Sequence, residues 1–430
     1  MKNQNQLKQL INDPEIKKVL ATLQLNKEDE VFLVGGCVRD ALLDAKPIEK
    51  IKDIDISTNL SPQQIKKRFA SLNKGTIIDN AMRYGSVVLV LQKREFAATT
   101  FRTDVQTFGR QAVVSASKSV EEDASRRDFT INAMYLNAKG DLFDFWNGMQ
   151  DLKNGVVKFI GNPVKRIQED YLRILRFFRF KALFGETNIE LESEILKIIE
   201  SQKEGLQILS KERITKELGN TILQPYYLSA FTAMVKTGVL QEILNIKNFN
   251  ISKIKRFAEP FKGRFSIEEK KDYSIVPIVL SLPIIDQRRI TNGNNLLITK
   301  KSKQFLDFLQ RNQGLMSIES TNTGNNKHFT TFIHKLISKE ASRLPFVELG
   351  AKLNLHSSKS IINILQNLTP MPLTGKNIID DMPNIEKELI SKIITELRFV
   401  WLESGYKKTI NELRQAAKLF TVNTVYNTKK

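Results

Sequence analysis

The hydrophobic pattern of the chain changes its period near residue 150. Before that point, short apolar runs alternate with glycine-containing turns, which is typical of strands and short helices. After it, apolar residues recur at helical spacing, with breaks expected at residues 292–295, 322–326 and 370–372. The sequence therefore predicts an α+β head followed by a long α-helical region.

Basic residues outnumber acidic residues, 66 to 47, and give the chain a net charge of +19. Such an excess attracts polyanions, which are nucleic acid or an acidic membrane surface. The most apolar run, residues 274–285, is too short to span a bilayer and contains Pro277 and Pro283. Nucleic acid is therefore the predicted partner, and no membrane association is expected.

The chain contains one cysteine, Cys37, and three histidines. A single cysteine excludes a disulfide framework, and so few histidines argue against a zinc site. The first residues lack the apolar core of a secretory signal, and Asp13 and Glu15 argue against a transit peptide. These features predict a cytoplasmic location.

The head is predicted to contain four strands, at residues 31–34, 51–57, 85–91 and 95–101. A helix is expected after the glycine pair that follows the first strand. Ser61, Pro62 and Gln64 form a capping box, which predicts a helix ending near Ala70. Residues 102–122 are polar and show little periodicity, so they are expected to form a loop. Further helices are expected at residues 167–184, 189–199, 211–223 and 228–244.

Two aspartates, Asp53 and Asp55, lie in the second predicted strand. Residues i and i+2 of a strand project to the same face, so the carboxylates are expected side by side, while Ile54 and Ile56 enter the core. A divalent cation would relieve their repulsion, and Mg²⁺ suits carboxylates that share it with substrate phosphates. The alternative is an edge strand that presents an acidic face to solvent.

The sequence GGCVRD, residues 35–40, follows the first predicted strand. Paired glycines let backbone amides approach a phosphate, and Arg39 can donate to two phosphate oxygens. An isolated glycine pair would indicate only a tight turn. Together with the carboxylates of the neighbouring strand, it indicates triphosphate chemistry with metal bridging the phosphates.

A second basic cluster, SRRDFTINA, spans residues 125–133. Arg126 and Arg127 precede Asp128, after which the segment becomes apolar. Such a group can simply start a helix with a local salt bridge. In a triphosphate site, the arginines would neutralise the charge of the nucleotide phosphates and of pyrophosphate.

The segment EDYLRILRFFRF, residues 169–180, is predicted to form one largely buried helix. After Glu169 its polar residues recur every third position and form a stripe: Asp170, Arg173, Arg176 and Arg179. A buried stripe of charge requires ion-pair partners or a cleft. It is either a ladder of structural ion pairs or a surface that selects a base. In the second case Asp170 would accept from the amino group of cytosine or adenine, and Arg173 would donate to the ring nitrogen.

These motifs, in this order, resemble the bacterial class II tRNA nucleotidyltransferase and poly(A) polymerase family. The matching segments are GGCVRD, DIDIST, EEDASRRDFTINA, IGNP at residues 160–163, EDYLRILRFFRF, and SKERITKEL at residues 210–218. The resemblance implies a polymerase-beta-like nucleotidyltransferase head at residues 1–150 and a helical neck at residues 151–225. It implies an elongated, RNA-binding helical body and tail at residues 226–430.

The resemblance also implies roles for individual residues. Asp53 and Asp55 would be the catalytic residues and the metal ligands. The nucleotide would be bound by Gly36, Arg39, Arg126, Arg127, Asp128, Asp170, Arg173, Arg176 and Arg179. Glu95 and Asp128 are both candidates for a third catalytic carboxylate.

Members of this family carry out either CCA addition or poly(A) tailing, and a segment in the C-terminal part of this chain favours the first. The segment PLTGKNIIDDMPN, residues 372–384, followed by Trp401, is similar to a C-terminal motif of CCA-adding enzymes. Asn377 and Asp381 depart from it, since they replace an expected acidic residue and a glycine. The arginine-rich tail of bacterial poly(A) polymerases is not seen. A phosphohydrolase domain is not expected, because no aspartate follows any histidine, at His328, His334 or His356.

The predicted function is template-independent addition or repair of the 3′-terminal CCA of tRNA, with CTP and ATP as substrates and Mg²⁺ as cofactor. The alternatives are a poly(A) polymerase, a partial enzyme that adds only C or only A, and a non-catalytic RNA-binding paralogue. Basic residues of the body are predicted to contact RNA phosphates: Lys253, Lys255, Arg256, Lys262 and Arg264. The alternative is that this cluster is only a solvated face.

Overall fold

The computed structural model describes residues 2–427 except 45–46, 73–74, 93, 109–110, 118, 185–188, 248, 294, 312–370 and 405–406. The chain forms two compact units, Met1–Ile251 with Gly293–Leu297 and Ser252–Asn292 with Ile298–Lys430. All strands of the described residues belong to the first unit, and the described elements of the second are helices. The predicted α+β fold class is confirmed.

The described residues of the first unit include nine strands. They are β1 (Val31–Val34), β2 (Asp53–Thr58), β3 (Gly75–Ile78), β4 (Ser86–Leu91), β5 (Arg94–Thr100), β6 (Arg102–Phe108), β7 (Gln111–Ala116), β8 (Met134–Asn137) and β9 (Leu142–Asp144). Seven of them form one sheet in the order β3-β4-β5-β2-β1-β8-β9. Strands β2 and β5 are parallel, and β1 is antiparallel to β2 and β8. The four strands predicted in the head correspond to β1, β2, β4 and β5.

The interior position of β1 explains its composition. All four of its side chains are buried, since it pairs with strands on both edges. In β2, Ile54 and Ile56 are buried while Asp53 and Asp55 alternate with them on the other face. The predicted alternation of this strand is therefore confirmed.

The expectation of a loop at residues 102–122 is wrong. Residues 102–108 and 111–116 form β6 and β7, which pair with each other in a separate antiparallel ribbon. A helix begins at Val120, where Ser119 accepts a hydrogen bond from the backbone of Glu122. Such a ribbon is held by backbone hydrogen bonds between its own two strands, so a strict alternation of apolar residues is not required.

Helices cover the sheet and then continue the first unit. They are α1 (Lys2–Asn12), α2 (Pro14–Leu23), α3 (Gly36–Leu42), α4 (Pro62–Ala70), α5 (Val120–Ser125), α6 (Gly148–Lys153), α7 (Pro163–Glu169), α8 (Leu172–Phe184), α9 (Ile189–Gln202), α10 (Lys211–Ile222), α11 (Tyr227–Lys236) and α12 (Val239–Leu244). Helix α4 begins with the predicted capping box of Ser61 and Gln64 and ends at Ala70, as expected.

Two of the predicted helices are interrupted, and the prediction of one helix over residues 169–180 is wrong. Asp170 has an extended backbone (φ −156°, ψ 104°) and separates α7 from α8. Its carboxylate accepts a hydrogen bond from the backbone N of Leu172, because an aspartate competes with helical hydrogen bonds and caps a helix instead. Gly238 breaks residues 228–244 into α11 and α12, with φ +76°.

The second unit consists of α13 (Ile251–Arg264), α14 (Ile267–Tyr273), α15 (Val276–Leu280), α16 (Ile284–Thr291), α17 (Lys300–Arg311), α18 (Gly375–Asp381), α19 (Lys387–Glu403) and α20 (Ile410–Asn427). The predicted break at residues 292–295 lies between α16 and α17. The break at residues 322–326 and the three histidines lie outside the described residues, as does Pro370. Among the described helices, none is both long enough and apolar enough to cross a membrane.

The last three helices share a small apolar core, which contains Leu373, Ile378, Ile393, Leu397, Trp401, Leu413 and Ala417. Asn377, which departs from the expected motif, completes a capping box at the start of α18. Its Oδ1 accepts hydrogen bonds from the backbone N and the hydroxyl of Thr374, at 2.9 and 2.7 Å. Asp381 lies 2.9 Å from Nε of Arg414. Both unexpected residues thus have a structural partner.

Candidate active site

The predicted carboxylate pair lies on one face of β2. In the parallel register with β5, Asp53 lies opposite Glu95, and Asp55 lies opposite Ala97. Burial raises the pKa of Asp55, and the negative charge of Asp53 raises it further, whereas Arg127 opposes both effects. A pair of carboxylates in such surroundings favours a bound cation.

The turn after β1 contains two glycines, and the first of them, Gly35, approaches Asp55 closely. Gly35 has φ +74°, and a Cβ atom placed on it would lie 3.3 Å from Oδ2 of Asp55 and 3.5 Å from Nη1 of Arg127. A side chain here would be strained and would crowd both groups, so the close approach requires glycine. Gly36 begins α3, and a Cβ atom on it would lie 3.7 Å from Nη2 of Arg39.

Arg39 is buried and is held from both ends of its guanidinium group. Its Nη1 donates to Oδ1 of Asn132 at 2.6 Å, and its Nη2 donates to Oδ1 of Asp40 at 2.6 Å. The guanidinium carbon lies 4.9 Å from the centre of the Phe180 ring in α8. Arg39 therefore connects the turn after β1 to helix α8.

Asp123 organises the two arginines of the SRRD segment. It is fully buried, and its carboxylate accepts from Nε of Arg126 at 2.8 Å, from Ser57 at 2.7 Å and from the hydroxyl of Tyr135 at 2.7 Å. That hydroxyl in turn accepts from Nε of Arg127 at 2.7 Å. Although burial opposes ionisation, the two arginines lower the pKa of Asp123.

Asp128 has protein donors on both carboxylate oxygens. Oδ1 accepts from the backbone N of Phe129 at 2.9 Å and from Asn132 at 3.0 Å. Oδ2 accepts from Nε and Nη2 of Arg176, both at 2.6 Å. Burial disfavours the charged form, but Arg176 outweighs it and the pKa of Asp128 falls to about 2.

Among the described residues, no third carboxylate joins the aspartate pair to form a metal site. Within the described part of the chain, no group of three histidine, cysteine, aspartate or glutamate side chains is placed to hold a metal ion. Glu95 lies opposite Asp53 in the strand register, whereas Ala97 lies opposite Asp55. Both carboxylate oxygens of Asp128 already accept hydrogen bonds, from Asn132 and Arg176. Neither candidate therefore completes a set of three.

The four predicted stripe residues all form ion pairs with residues outside the stripe. Asp170 accepts from Nη2 of Arg213 at 2.7 Å. Arg173 donates to Glu169 at 2.5 Å and to the backbone oxygen of Arg166 at 2.6 Å. Arg176 binds Asp128, and Arg179 donates to Glu217 at 2.6 Å. The stripe residues therefore do form structural ion pairs. Their partners lie outside the stripe, and not on neighbouring positions of a ladder along it.

Several residues of this network were not predicted: Asp123, Asn132, Tyr135, Arg166, Phe180, Arg213 and Glu217. For Asp123 a signal existed, since it lies three and four positions before the two arginines in a helical start. For Glu217 no local signal existed, because it lies 38 residues from Arg179.

Two models of known protein families match parts of the chain. The Poly A polymerase head domain matches residues 31–158, and the probable RNA and SrmB-binding site of polymerase A matches residues 188–248. The mitochondrial CCA tRNA nucleotidyltransferase 1 of Mus musculus is 31% identical over 400 residues, which covers 92% of this chain and 88% of the mouse protein.

Two solved structures share the fold. The CCA-adding enzyme of Bacillus stearothermophilus in complex with CTP has a TM-score of 0.69 at 20% identity, covering 96% of this chain and 100% of that chain. The Thermotoga maritima CCA-adding enzyme complexed with tRNA has a TM-score of 0.65 at 17% identity, covering 97% and 98%.

The match to the Poly A polymerase head domain covers the mixed sheet that carries the aspartate pair, and it identifies the chain as a nucleotidyltransferase. The identity to the mouse protein extends over most of both chains. The chain belongs to the tRNA nucleotidyltransferase and poly(A) polymerase family, as the motifs of the sequence predicted.

Proposed function

We propose that this enzyme adds or repairs the 3′-terminal CCA of tRNA, using CTP and ATP without a nucleic-acid template. The observation that carries the proposal is the position of Asp55, which lies beside Asp53 on β2 and close to Arg127 and the Gly35 turn. A carboxylate pair next to arginines and a close-approaching backbone suits transfer of a nucleotide from a triphosphate. The mouse relative, named for CCA addition, supports the same activity over most of the chain.

Asp53 and Asp55 would hold the divalent cation, and we propose that it is Mg²⁺. The fit rests on the two carboxylates themselves, since the burial and mutual repulsion that raise the pKa of Asp55 would be offset by a cation. When bound, the cation would assist attack by the RNA 3′ hydroxyl and neutralise charge on the triphosphate.

The protein's own groups would bind and orient the triphosphate. Arg39 and Arg127 line the turn at Gly35 and Gly36, where no side chain keeps a phosphate away from the backbone. Because Arg127 is fixed by Tyr135, its orientation is set before the substrate arrives. Such preorganised charge stabilises the phosphorane-like transition state and the departing pyrophosphate.

Selection of the base would depend on Asp170 and Arg173 at the junction of α7 and α8. The carboxylate offers an acceptor and the guanidinium offers donors, which match the pairing edges of cytosine and adenine and not those of guanine and uracil. In the structure these groups are held by Arg213 and Glu169. Those partners would fix the two side chains at a defined separation.

Residues 151–225 would form the helical neck. Residues 226–430 would form the body and tail, which would bind tRNA phosphates. Lys253, Lys255 and Arg256 lie exposed on α13, as such a role requires. We place the activity in the cytoplasm, in keeping with the lone cysteine.

The test is nucleotide addition to four transcripts: a tRNA ending before CCA, one ending after C, one ending after CC, and an unrelated RNA. Each would be incubated with one nucleoside triphosphate at a time. CCA addition predicts C on the first two, A on the third, and nothing on the unrelated RNA. Long A tracts on all four transcripts with ATP would identify a poly(A) polymerase instead. A failure to add A to the transcript ending after CC would identify a partial enzyme that adds only C.

A further inference from the structure

One aromatic ring gathers three of the predicted nucleotide-site arginines. The guanidinium carbons of Arg179, Arg39 and Arg176 lie 4.2, 4.9 and 5.5 Å from the centre of the Phe180 ring. Phe180 itself is 1% exposed. A cation within about 6 Å of a ring centre is attracted by the electron-rich face of the ring, and the attraction is greatest where water is excluded.

The three arginines come from two parts of the chain that the sequence does not connect locally. Arg39 belongs to α3, directly after the glycine turn that reaches Asp55, whereas Arg176 and Arg179 belong to α8. Each has a carboxylate of its own, which is Asp40, Asp128 or Glu217. Those three carboxylates lie on different parts of the chain, whereas the Phe180 ring lies close to all three guanidinium groups.

Like charges collected at one place repel one another. Burial lowers the pKa of Arg179, Glu217 opposes that effect, and the charges of Arg176 and Arg39 lower it further. The three carboxylates offset part of this repulsion, and the electron-rich Phe180 ring adds negative electrostatic potential among the guanidinium groups without adding a formal charge. The ring therefore helps to hold three like charges close together.

We propose that Phe180 is a positioning residue that holds the phosphate-facing Arg39 and the base-side Arg176 and Arg179 in one preorganised set through the electrons of its ring. This inference rests on the proposed function, because it assumes that these arginines bind the nucleoside triphosphate. Its consequence is that nucleotide binding depends on the electron density of the Phe180 ring, and not only on its shape.

Shape must be separated from electron density, because Phe180 also packs edge-on against Phe129, with ring centres 5.4 Å apart. A leucine at this position would disturb that packing together with the cation contacts. Fluorinated phenylalanines avoid the problem, since successive fluorine atoms withdraw electrons from the ring while its size changes little.

The experiment introduces phenylalanine with one, two or three ring fluorines at position 180 of the full chain. The measured quantities are kcat/KM for CTP on a tRNA lacking CCA, Kd for CTP, and the melting temperature. Phe178 receives the same series as the matched control. It is fully buried in the same helix, and among the described residues no guanidinium lies over its ring.

The expected result is a stepwise loss of kcat/KM and a matching rise in Kd at position 180, about twofold per fluorine and near tenfold for three, at constant melting temperature. Position 178 should show less than a twofold change. Unchanged kinetics at position 180, equal losses at both positions, or losses that only follow a falling melting temperature would each overturn the proposal. An unmodified enzyme that adds no nucleotide to tRNA would instead refute the proposed function.

Discussion

Oδ2 of Asp128 lies 2.6 Å from both Nε and Nη2 of Arg176, a residue 48 positions further along the chain. The other oxygen of Asp128 accepts from Asn132, whose own oxygen accepts from Arg39. A continuous set of hydrogen bonds therefore connects the glycine turn near the aspartate pair to helix α8. Asp128 orients an arginine in this arrangement, and its lone pairs are not directed at a metal.

The Asp128→Asn variant tests this interpretation. The amide removes the charge opposite a buried guanidinium, so kcat/KM for CTP should fall about ten- to hundredfold, as expected for a charged hydrogen bond worth roughly 1.5–3 kcal/mol. The Mg²⁺ concentration that gives half-maximal rate should stay the same. Steady-state kinetics over a Mg²⁺ titration measures both quantities. A several-fold shift in the Mg²⁺ midpoint would return Asp128 to the list of metal ligands.

Replacing either member of the aspartate pair should have a different effect. Asp53→Ala or Asp55→Ala should abolish nucleotide addition in Mg²⁺ and leave the Kd for tRNA nearly unchanged, because these carboxylates serve the chemistry and not the RNA backbone. Primer-extension gels and a tRNA binding titration check the two statements. Asp79→Ala is the control, since Asp79 is an exposed carboxylate paired with Lys66. Appreciable turnover by either active-site variant would exclude its catalytic role.

The sequence indicated most of the head because its local signals are strong. The capping box of Ser61 and Gln64 and the alternation around Ile54 each depend on neighbouring residues, and both appear as expected. The β6–β7 ribbon was missed because residues 102–116 show little apolar periodicity. The break at Asp170 was missed because apolar periodicity continues across it, while the aspartate caps the next helix.

In the candidate site, too, local sequence signals predicted some features and could not predict others. Glycines, aspartates and arginines within one motif could be selected by residue type and spacing. The partners of those arginines could not, because Glu217 reaches Arg179 and Arg213 reaches Asp170 through the packing of α10 near α8. That packing depends on the burial of residues such as Ile214 and Leu218, and many alignments of two amphipathic helices satisfy the same pattern.

Binding of tRNA by the body should depend steeply on salt. If α13 contacts phosphates, the double variant Lys253→Gln with Lys255→Gln should weaken binding and reduce the slope of log Kd against log salt by about 1.5, since each lost phosphate contact removes roughly 0.7–0.9. Binding titrations between low and moderate salt give the slope. Lys66→Gln, which removes an exposed lysine paired with Asp79, serves as the control. An unchanged slope would mean that the α13 lysines form only a solvated face.

The final prediction concerns the choice of base. Asp170 accepts from Arg213 through one oxygen and from the backbone N of Leu172 through the other, so its carboxylate is fixed at the start of α8. Asp170→Ala would remove the acceptor for the amino group that cytosine and adenine share. An amino group left without a hydrogen-bond acceptor costs about 1–3 kcal/mol, or roughly ten- to hundredfold in discrimination. Incorporation of UMP and GMP relative to CMP and AMP should therefore rise, with a smaller change in triphosphate affinity, as measured by single-nucleotide addition with each triphosphate. Asp286→Ala, which removes a carboxylate paired with Arg289 in the second unit, should leave selection unaltered. Full preference for C and A in the Asp170 variant would show that Asp170 serves Arg213 and the helix start alone.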